Sequence, residues 1–96
     1  MIDDETRKSL LARLNRAEGQ VAAIRRMIED GSYCVNVLTQ VSAAQGALGR
    51  VGEIVLQNHL DHCVTAAIEA GDDEARQAKV EELKGLVVRY GFRRNA

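Results

Sequence analysis

The stretch that most constrains the fold of this chain runs from Ser32 to Ala70 and holds both cysteines and both histidines. The chain contains no proline, so no residue in this stretch is a strong helix breaker. One stripe of mostly apolar positions advances in alternating steps of four and three residues, the 3.5-residue period of a helix packed along a seam. The stripe consists of Cys34, Leu38, Val41, Gln45, Leu48, Gly52, Val55 and His59. The pattern predicts one long helix from about residue 32 to residue 70.

The spacing of three residues on this helix predicts a second chain. His59 and Cys63 are four residues apart and therefore share one face of a helix. Cys34 precedes His59 by 25 residues, roughly 37 Å at a rise of ~1.5 Å per residue. In a continuous helix Cys34 cannot reach His59 of its own chain, but it can reach His59 of an antiparallel partner. We therefore predict a two-fold dimer with two identical sites, each built from both chains.

Three glycines within this helix bear on that argument. Gly46, Gly49 and Gly52 recur every three residues, and each costs about 1 kcal/mol relative to alanine in a helix interior. Close approach of another helix is the favoured reason for them. A break in the helix is the alternative, and it would let Cys34 fold back onto its own chain.

Two further helices complete an all-α fold. The apolar spacing predicts a first helix over about residues 4–29, started by Asp3 or Asp4 and ended by Gly31. Ser32 is expected to cap the start of the long helix, and the turn is short enough to make the first two helices an antiparallel hairpin. A short third helix is predicted over about residues 74–90. Residues 1–96 are thus expected to form a single helical domain.

The charges are distributed unevenly along the chain. The net charge is only −1, but residues 7–26 hold six basic residues and one acid, whereas residues 53–82 hold eight acids and two basic residues. In an antiparallel hairpin turning at Gly31, Arg13 and Arg50 lie at nearly the same level, with Arg16 close by. These three arginines are predicted to form one cationic patch, with a solvated helix face as the alternative.

The chemistry of the candidate site favours a soft metal. Two thiolates and one imidazole form a three-coordinate set, whereas structural zinc usually takes four ligands. Cu(I) accepts low coordination and prefers thiolates, so this set points to Cu(I). A reactive cysteine pair and buried inert side chains are the two alternatives. The sequence shows no candidate catalytic base other than the two histidines of the long helix, and it shows no phosphate-binding loop. We therefore do not expect an enzyme.

Composition narrows the cellular setting and the partners. Only three aromatic residues are present, which argues against a protein that stacks single-stranded bases. The sequence has no signal peptide and no apolar run of membrane length, so a cytosolic protein without a membrane partner is expected.

The segment RLNRAEGQVAAIRRMIEDGSYCVNVLTQVSAAQGALGRV, followed by NHLDHC, resembles the copper-sensitive operon repressor (CsoR) family. The resemblance extends from about Leu10 to Tyr90. It implies an all-helical dimer that pairs into a tetramer and binds operator DNA without a helix-turn-helix. It also implies a metal site with Cys34 from one chain and His59 and Cys63 from the other.

The resemblance assigns further roles and separates the branches of the family. Tyr33 and Glu82 match positions that hydrogen-bond near the histidine ligand and link it to the third helix, and Arg13 and Arg50 match positions implicated in DNA binding.

The branches of the family differ at the ligand positions. Formaldehyde sensors usually lack the second cysteine, persulfide sensors lack the histidine, and nickel and cobalt sensors carry a histidine where Cys63 stands. Since this chain has all three ligands, it matches the copper-sensing branch.

The sequence as a whole predicts a homotetrameric repressor, a dimer of dimers. Its apo form binds double-stranded operator DNA through Arg13, Arg16 and Arg50, and Cu(I) bound at Cys34, His59 and Cys63 releases that DNA. The first alternative is a persulfide- or thiol-responsive repressor of the same family that uses Cys34 and Cys63. A more distant alternative is a helical protein that buffers metal and does not bind DNA.

Overall fold

Three helices make up the chain in a computed structural model that describes residues 2–90, apart from the side chains of Cys63, Val64, Ala67 and Ala70. Helix α1 spans Asp4–Glu29, α2 spans Cys34–Ala70 and α3 spans Asp73–Tyr90. No strand occurs within residues 2–90, which confirms the predicted all-α class.

Local signals in the sequence define the ends of α1. The Asp3 side chain accepts a hydrogen bond of 2.8 Å from the backbone N–H of Thr6, and therefore caps the first turn. At the other end Gly31 takes a positive φ of 72°. The N–H of Ser32 then donates to the carbonyl of Met27 at 2.9 Å, which satisfies one of the last carbonyls of the helix.

The start of α2 differs from the prediction. The Ser32 N–H closes the end of α1, and the second helix begins at Cys34, two residues after the predicted position of about 32. The carbonyl of Tyr33, not the side chain of Ser32, accepts from the N–H groups of Asn36 and Val37 at 2.9 and 3.2 Å. Cys34 is therefore the first residue of α2.

Helix α2 is one α-helix of 37 residues that continues through Gly46, Gly49 and Gly52. The break considered from the sequence is therefore absent. Among the described residues, a methyl group added at Gly46 or Gly49 would meet no atom within 4 Å beyond the adjacent residues and the local helix backbone. No neighbouring element in the described part of the chain thus requires glycine at these two positions.

Residues 3–51 form one packing unit, the α1–α2 hairpin. The buried apolar residues of the described chain, Leu10, Ala17 and Ala44, all lie in it. Leu14 of α1 and Leu48 of α2 line one cavity of about 310 Å³ and are each 17 residues from Gly31. This shared cavity agrees with an antiparallel register centred on Gly31.

Residues 52–90, together with Ile2, belong to a second packing unit. Here the last half of α2 and the helix α3 are joined through Gly71, whose φ is 78°. Asp72 caps α3, since its side chain accepts from the N–H of Ala75 at 2.7 Å. No helix within residues 2–90 has the length and apolar character needed to cross a membrane.

Candidate metal centre and nucleic-acid interface

His59 and Glu82 join α2 to α3 through a direct hydrogen bond. The Nε2–H of His59 donates to Oε1 of Glu82 at 2.9 Å. The two residues are 23 positions apart, and the Gly71–Asp72 turn brings them to one level. Because Nε2 is engaged with Glu82, a metal bound to this imidazole would take Nδ1.

The electrostatic surroundings keep Glu82 ionised. The hydrogen bond from His59, and secondly the positive charge of Lys79, lower the pKa of the Glu82 carboxyl below its usual value. The Lys79 ammonium lies 3.7 Å from Oε2 of Glu82. Glu82 is therefore an acceptor at neutral pH and orients the imidazole. Lys79 was not singled out from the sequence, although its i, i+3 spacing from Glu82 on a helix is a usable signal.

An apolar groove of about 490 Å³ adjoins this pair within residues 52–90. It is lined by Gly52, Val55, Leu56, His59, Glu82, Leu86 and Tyr90. The imidazole of His59, a quarter exposed, therefore lies at an apolar surface. Such surroundings limit water around a bound metal.

The two cysteines of the predicted site are described unequally. Cys34 is a free, exposed cysteine at the first position of α2. Cys63 belongs to α2 and follows His59 by one turn, but its side chain lies outside the described part of the chain. Among the described side chains, no three histidine, cysteine, aspartate or glutamate residues cluster as a metal would require. The ligand set therefore stays a prediction.

Two other residues near the predicted ligands are exposed. Tyr33 immediately precedes α2 beside Cys34, and 70% of its surface is accessible. The Nδ1–H of His62 donates to the carbonyl of Asn58 at 2.7 Å, so this ring bonds to its own helix. His62 is exposed.

The α1–α2 hairpin has two unlike sides. At about 100° per residue, Leu14 and Val21 lie to one side of the buried Ala17, and Arg13 and Gln20 lie to the other. Val21 shares a cavity with Leu48 of α2. The Val21 side of α1 and the Leu48 side of α2 therefore lie on the same side of the hairpin. We define the apolar flank of the hairpin as Leu11, Val21 and Ile28 of α1 with Cys34, Leu38 and Leu48 of α2. We define the polar flank as Arg13, Arg16 and Gln20 of α1 with Asn36, Gln40 and Arg50 of α2.

The three predicted DNA-binding arginines therefore lie on one flank of one packing unit. Arg16 and Arg50 are exposed, and the Arg16 Nε–H donates to the carbonyl of Ala12 at 3.5 Å. Arg13 is half-buried, and its Nε is enclosed without a hydrogen-bond partner in the described chain. This arrangement supplies a cationic surface, while its use in DNA binding stays a prediction.

Comparison with known proteins identifies the class. The family model for metal-sensitive transcriptional repressors matches residues 6–89, so the chain belongs to that family. Its members are transcriptional repressors, not enzymes. The resemblance seen in the sequence is thereby confirmed.

Three relatives are informative. The copper-sensing transcriptional repressor RicR of Mycobacterium tuberculosis is 47% identical over 77 residues, covering 80% of this chain and 79% of that protein. The crystal structure of the copper-sensing repressor CsoR with Cu(I) from Geobacillus thermodenitrificans matches with a TM-score of 0.77 and 37% identity, over 96% of this chain and 95% of that one. The nickel-responsive transcriptional regulator InrS matches with a TM-score of 0.75 and 35% identity, over 86% of this chain and 90% of that one.

Proposed function

We propose that this protein is a Cu(I)-responsive repressor that binds operator DNA in its apo form and releases it when Cu(I) binds. The observation that carries the proposal is the hydrogen bond between His59 and Glu82. This bond connects a candidate metal ligand on α2 to α3. A change at the imidazole is thereby transmitted to a second helix.

The proposed ligands are Cys34 of one chain with His59 and Cys63 of another. Support comes from the continuity of α2, since 25 residues of uninterrupted helix span roughly 37 Å. The exposed Tyr33 adjoins Cys34, and a two-fold partner would bring it beside the His59–Glu82 pair together with Cys34.

The apolar flank of the hairpin supports association with a second chain. Leu38 and Ile28 are each 64% exposed, and Cys34 lies beside them in one cavity of about 370 Å³. Because exposed apolar surface of this extent is unfavourable in water, a partner chain is expected to cover it. The homodimer, and the homotetramer built from two dimers, belong to this proposal.

The donor set fits Cu(I) better than the metals that prefer harder or more numerous ligands. Two thiolates and one imidazole satisfy the low coordination that Cu(I) accepts, and bound Cu(I) would supply a covalent link between two chains. Glu82 would hold the imidazole through Nε2. The nickel-responsive neighbour makes Ni(II) the metal against which this assignment must be tested.

The release of DNA is expected to follow from linkage between the two sites. If Cu(I) lowers DNA affinity, bound DNA must lower Cu(I) affinity by the same factor. The arginines Arg13, Arg16 and Arg50 are proposed to contact the duplex, mainly at phosphates. Couplings of this kind are typically about 5- to 150-fold.

The experiment measures DNA binding by the reduced full-length protein. A duplex is first selected from a randomised pool by the apo protein, and its affinity is then measured by fluorescence anisotropy with Cu(I), with Ni(II) and with a persulfide. We expect Cu(I) to weaken binding by at least about tenfold, within the usual range of allosteric coupling, and Ni(II) to have little effect.

The other outcomes identify the competing functions. Release by persulfide and not by Cu(I) would favour the thiol-responsive repressor, for which the exposed, free Cys34 is the supporting observation. Failure of the apo protein to bind or select any DNA would favour a metal-buffering protein.

A further inference from the structure

The polar flank of the hairpin carries amide side chains as well as arginines. Gln20 of α1 and Asn36 and Gln40 of α2 lie on it, nearer the Gly31 turn than Arg13 and Arg50. Asn36 and Gln40 are exposed, and Gln20 is half-buried. These residues add hydrogen-bonding side chains of both helices to the polar flank.

This flank contains no carboxylate. Between Ser9 and Met27 on α1, and between Asn36 and Arg50 on α2, no acidic residue falls on this side of the helices. The acid Glu18 lies instead beside Leu48, on the other side of the hairpin. A surface with three arginines, three amides and no acid suits a polyanion that also offers hydrogen-bonding groups.

Two enclosed polar atoms on this flank have no partner in the described chain. They are Nε of Arg13 and Oε1 of Gln20, seven residues apart on α1. Unsatisfied enclosed groups of this kind are rare in folded proteins. A hydrogen-bonding partner from outside the described chain would satisfy both atoms.

We propose that the exposed amides Asn36 and Gln40 read the operator sequence, while Arg13, Arg16 and Arg50 hold the phosphate backbone. This inference rests on the proposed DNA-binding function and divides its interface into two parts. Glutamine and asparagine form paired hydrogen bonds with adenine in the major groove, whereas arginine contacts to phosphates carry no sequence information.

The dimensions of the flank fit a duplex that lies along it. On α2, Gln40 and Asn36 precede Arg50 by 10 and 14 residues, which correspond to roughly 15 and 21 Å of helix. At ~3.4 Å per nucleotide along one strand, these lengths are about four and six base steps. Gln40 and Asn36 would therefore meet bases about four and six steps away from the level of Arg50.

The test uses the reduced, full-length apo protein and separates sequence preference from general affinity. Wild type and Gln40→Ala each select from a randomised duplex pool, and both are then titrated with the wild-type-selected duplex and with a shuffled duplex over a salt series. Gln40 is exposed, so its removal should leave the fold intact. Gln77→Ala is the matched control, because Gln77 is an exposed glutamine of α3 and lies on neither flank of the hairpin.

We expect Gln40→Ala to lower the ratio of selected to shuffled affinity by about tenfold, the loss of one paired base contact, with an unchanged salt slope. Arg13→Ala should instead weaken both duplexes alike and reduce the salt slope by about one unit per lost contact. Gln77→Ala should behave as wild type does.

Several results would overturn the inference without touching the proposed function. One is a wild-type sequence preference that persists in both Gln40→Ala and Asn36→Ala. Another is that Gln40→Ala loses affinity equally for the selected and the shuffled duplex. A third is that Gln40→Ala changes the mass of the oligomer and leaves the sequence preference unchanged. If wild type itself binds no DNA, the proposed function fails.

Discussion

The imidazole of His59 connects two helices before any metal is considered. Its partner Glu82 is ionised and is also paired with Lys79. Two thiolates can hold Cu(I) without a histidine, because soft sulfur ligands supply most of the affinity for this ion. The value of the imidazole then lies in its connection to α3, so binding and response should be separable at this residue.

His59→Ala should therefore retain one Cu(I) per chain but lose most of the Cu(I)-induced release of DNA. The factor by which Cu(I) weakens DNA binding is expected to fall from the typical range of about 5- to 150-fold to nearly one, which means no effect. Cu(I) competition with a chelator measures binding, and anisotropy of the selected duplex measures release.

Glu82→Gln and Gln57→Ala complete this experiment. Glu82→Gln keeps the shape of the side chain but removes its charge, and it should impair release in the same direction as His59→Ala. Gln57→Ala alters an exposed residue of the same helix and should have no effect. Release by His59→Ala at the wild-type level would show that the imidazole does not transmit the signal.

At the scale of the element, α2 shows what sequence reasoning can and cannot supply. Its period and lack of proline predicted a long helix, because both features depend only on residues within the helix. The predicted start, about residue 32, lies two positions before the observed first residue, Cys34, because the carbonyl of Tyr33 accepts from the N–H groups of the first turn, and neither pattern alone shows which residue makes those bonds. The contact between His59 and Glu82 came from family resemblance, since no periodicity relates two helices across a turn.

The glycines of α2 give a prediction at this scale. We expect Gly49→Ala to weaken the oligomer, because its side of α2 adjoins the apolar flank and another helix is predicted to approach it. In the chain itself an added methyl at Gly49 has room, as it has at Gly19 of α1. Gly19→Ala should therefore stabilise the protein by about 1 kcal/mol, and raise Tm by about 4–8 °C for a domain of this size.

Thermal unfolding and sedimentation together test this pair of variants. A Gly49→Ala protein that gains as much stability as Gly19→Ala and keeps the wild-type mass would contradict close approach at Gly49.

For the whole molecule, the continuity of α2 supports the proposal that residues of two chains complete one site. Cys34→Ser and Cys63→Ser variants should each lack an intact site in their homodimers. A mixed dimer joins Cys34 of the second variant to His59 and Cys63 of the first, and thereby restores one site. Random exchange should place about half of the dimers in this mixed form.

Cu(I) titration of the co-refolded variants measures that recovery, with a mass-tagged chain to establish exchange. Each variant refolded alone is the control and should bind Cu(I) weakly. Absence of recovery after confirmed exchange would show that the site closes within one chain.

The separation of Cys34 from His59 along one unbroken helix also has a genetic consequence. In a cell that expresses wild-type and Cys34→Ser copies equally, about a quarter of randomly formed dimers would have both sites intact. Mixed dimers would carry one damaged site yet keep all of their arginines. Such an allele would keep the promoter repressed even in the presence of the functional copy. It would therefore be inherited as a dominant loss of the copper response.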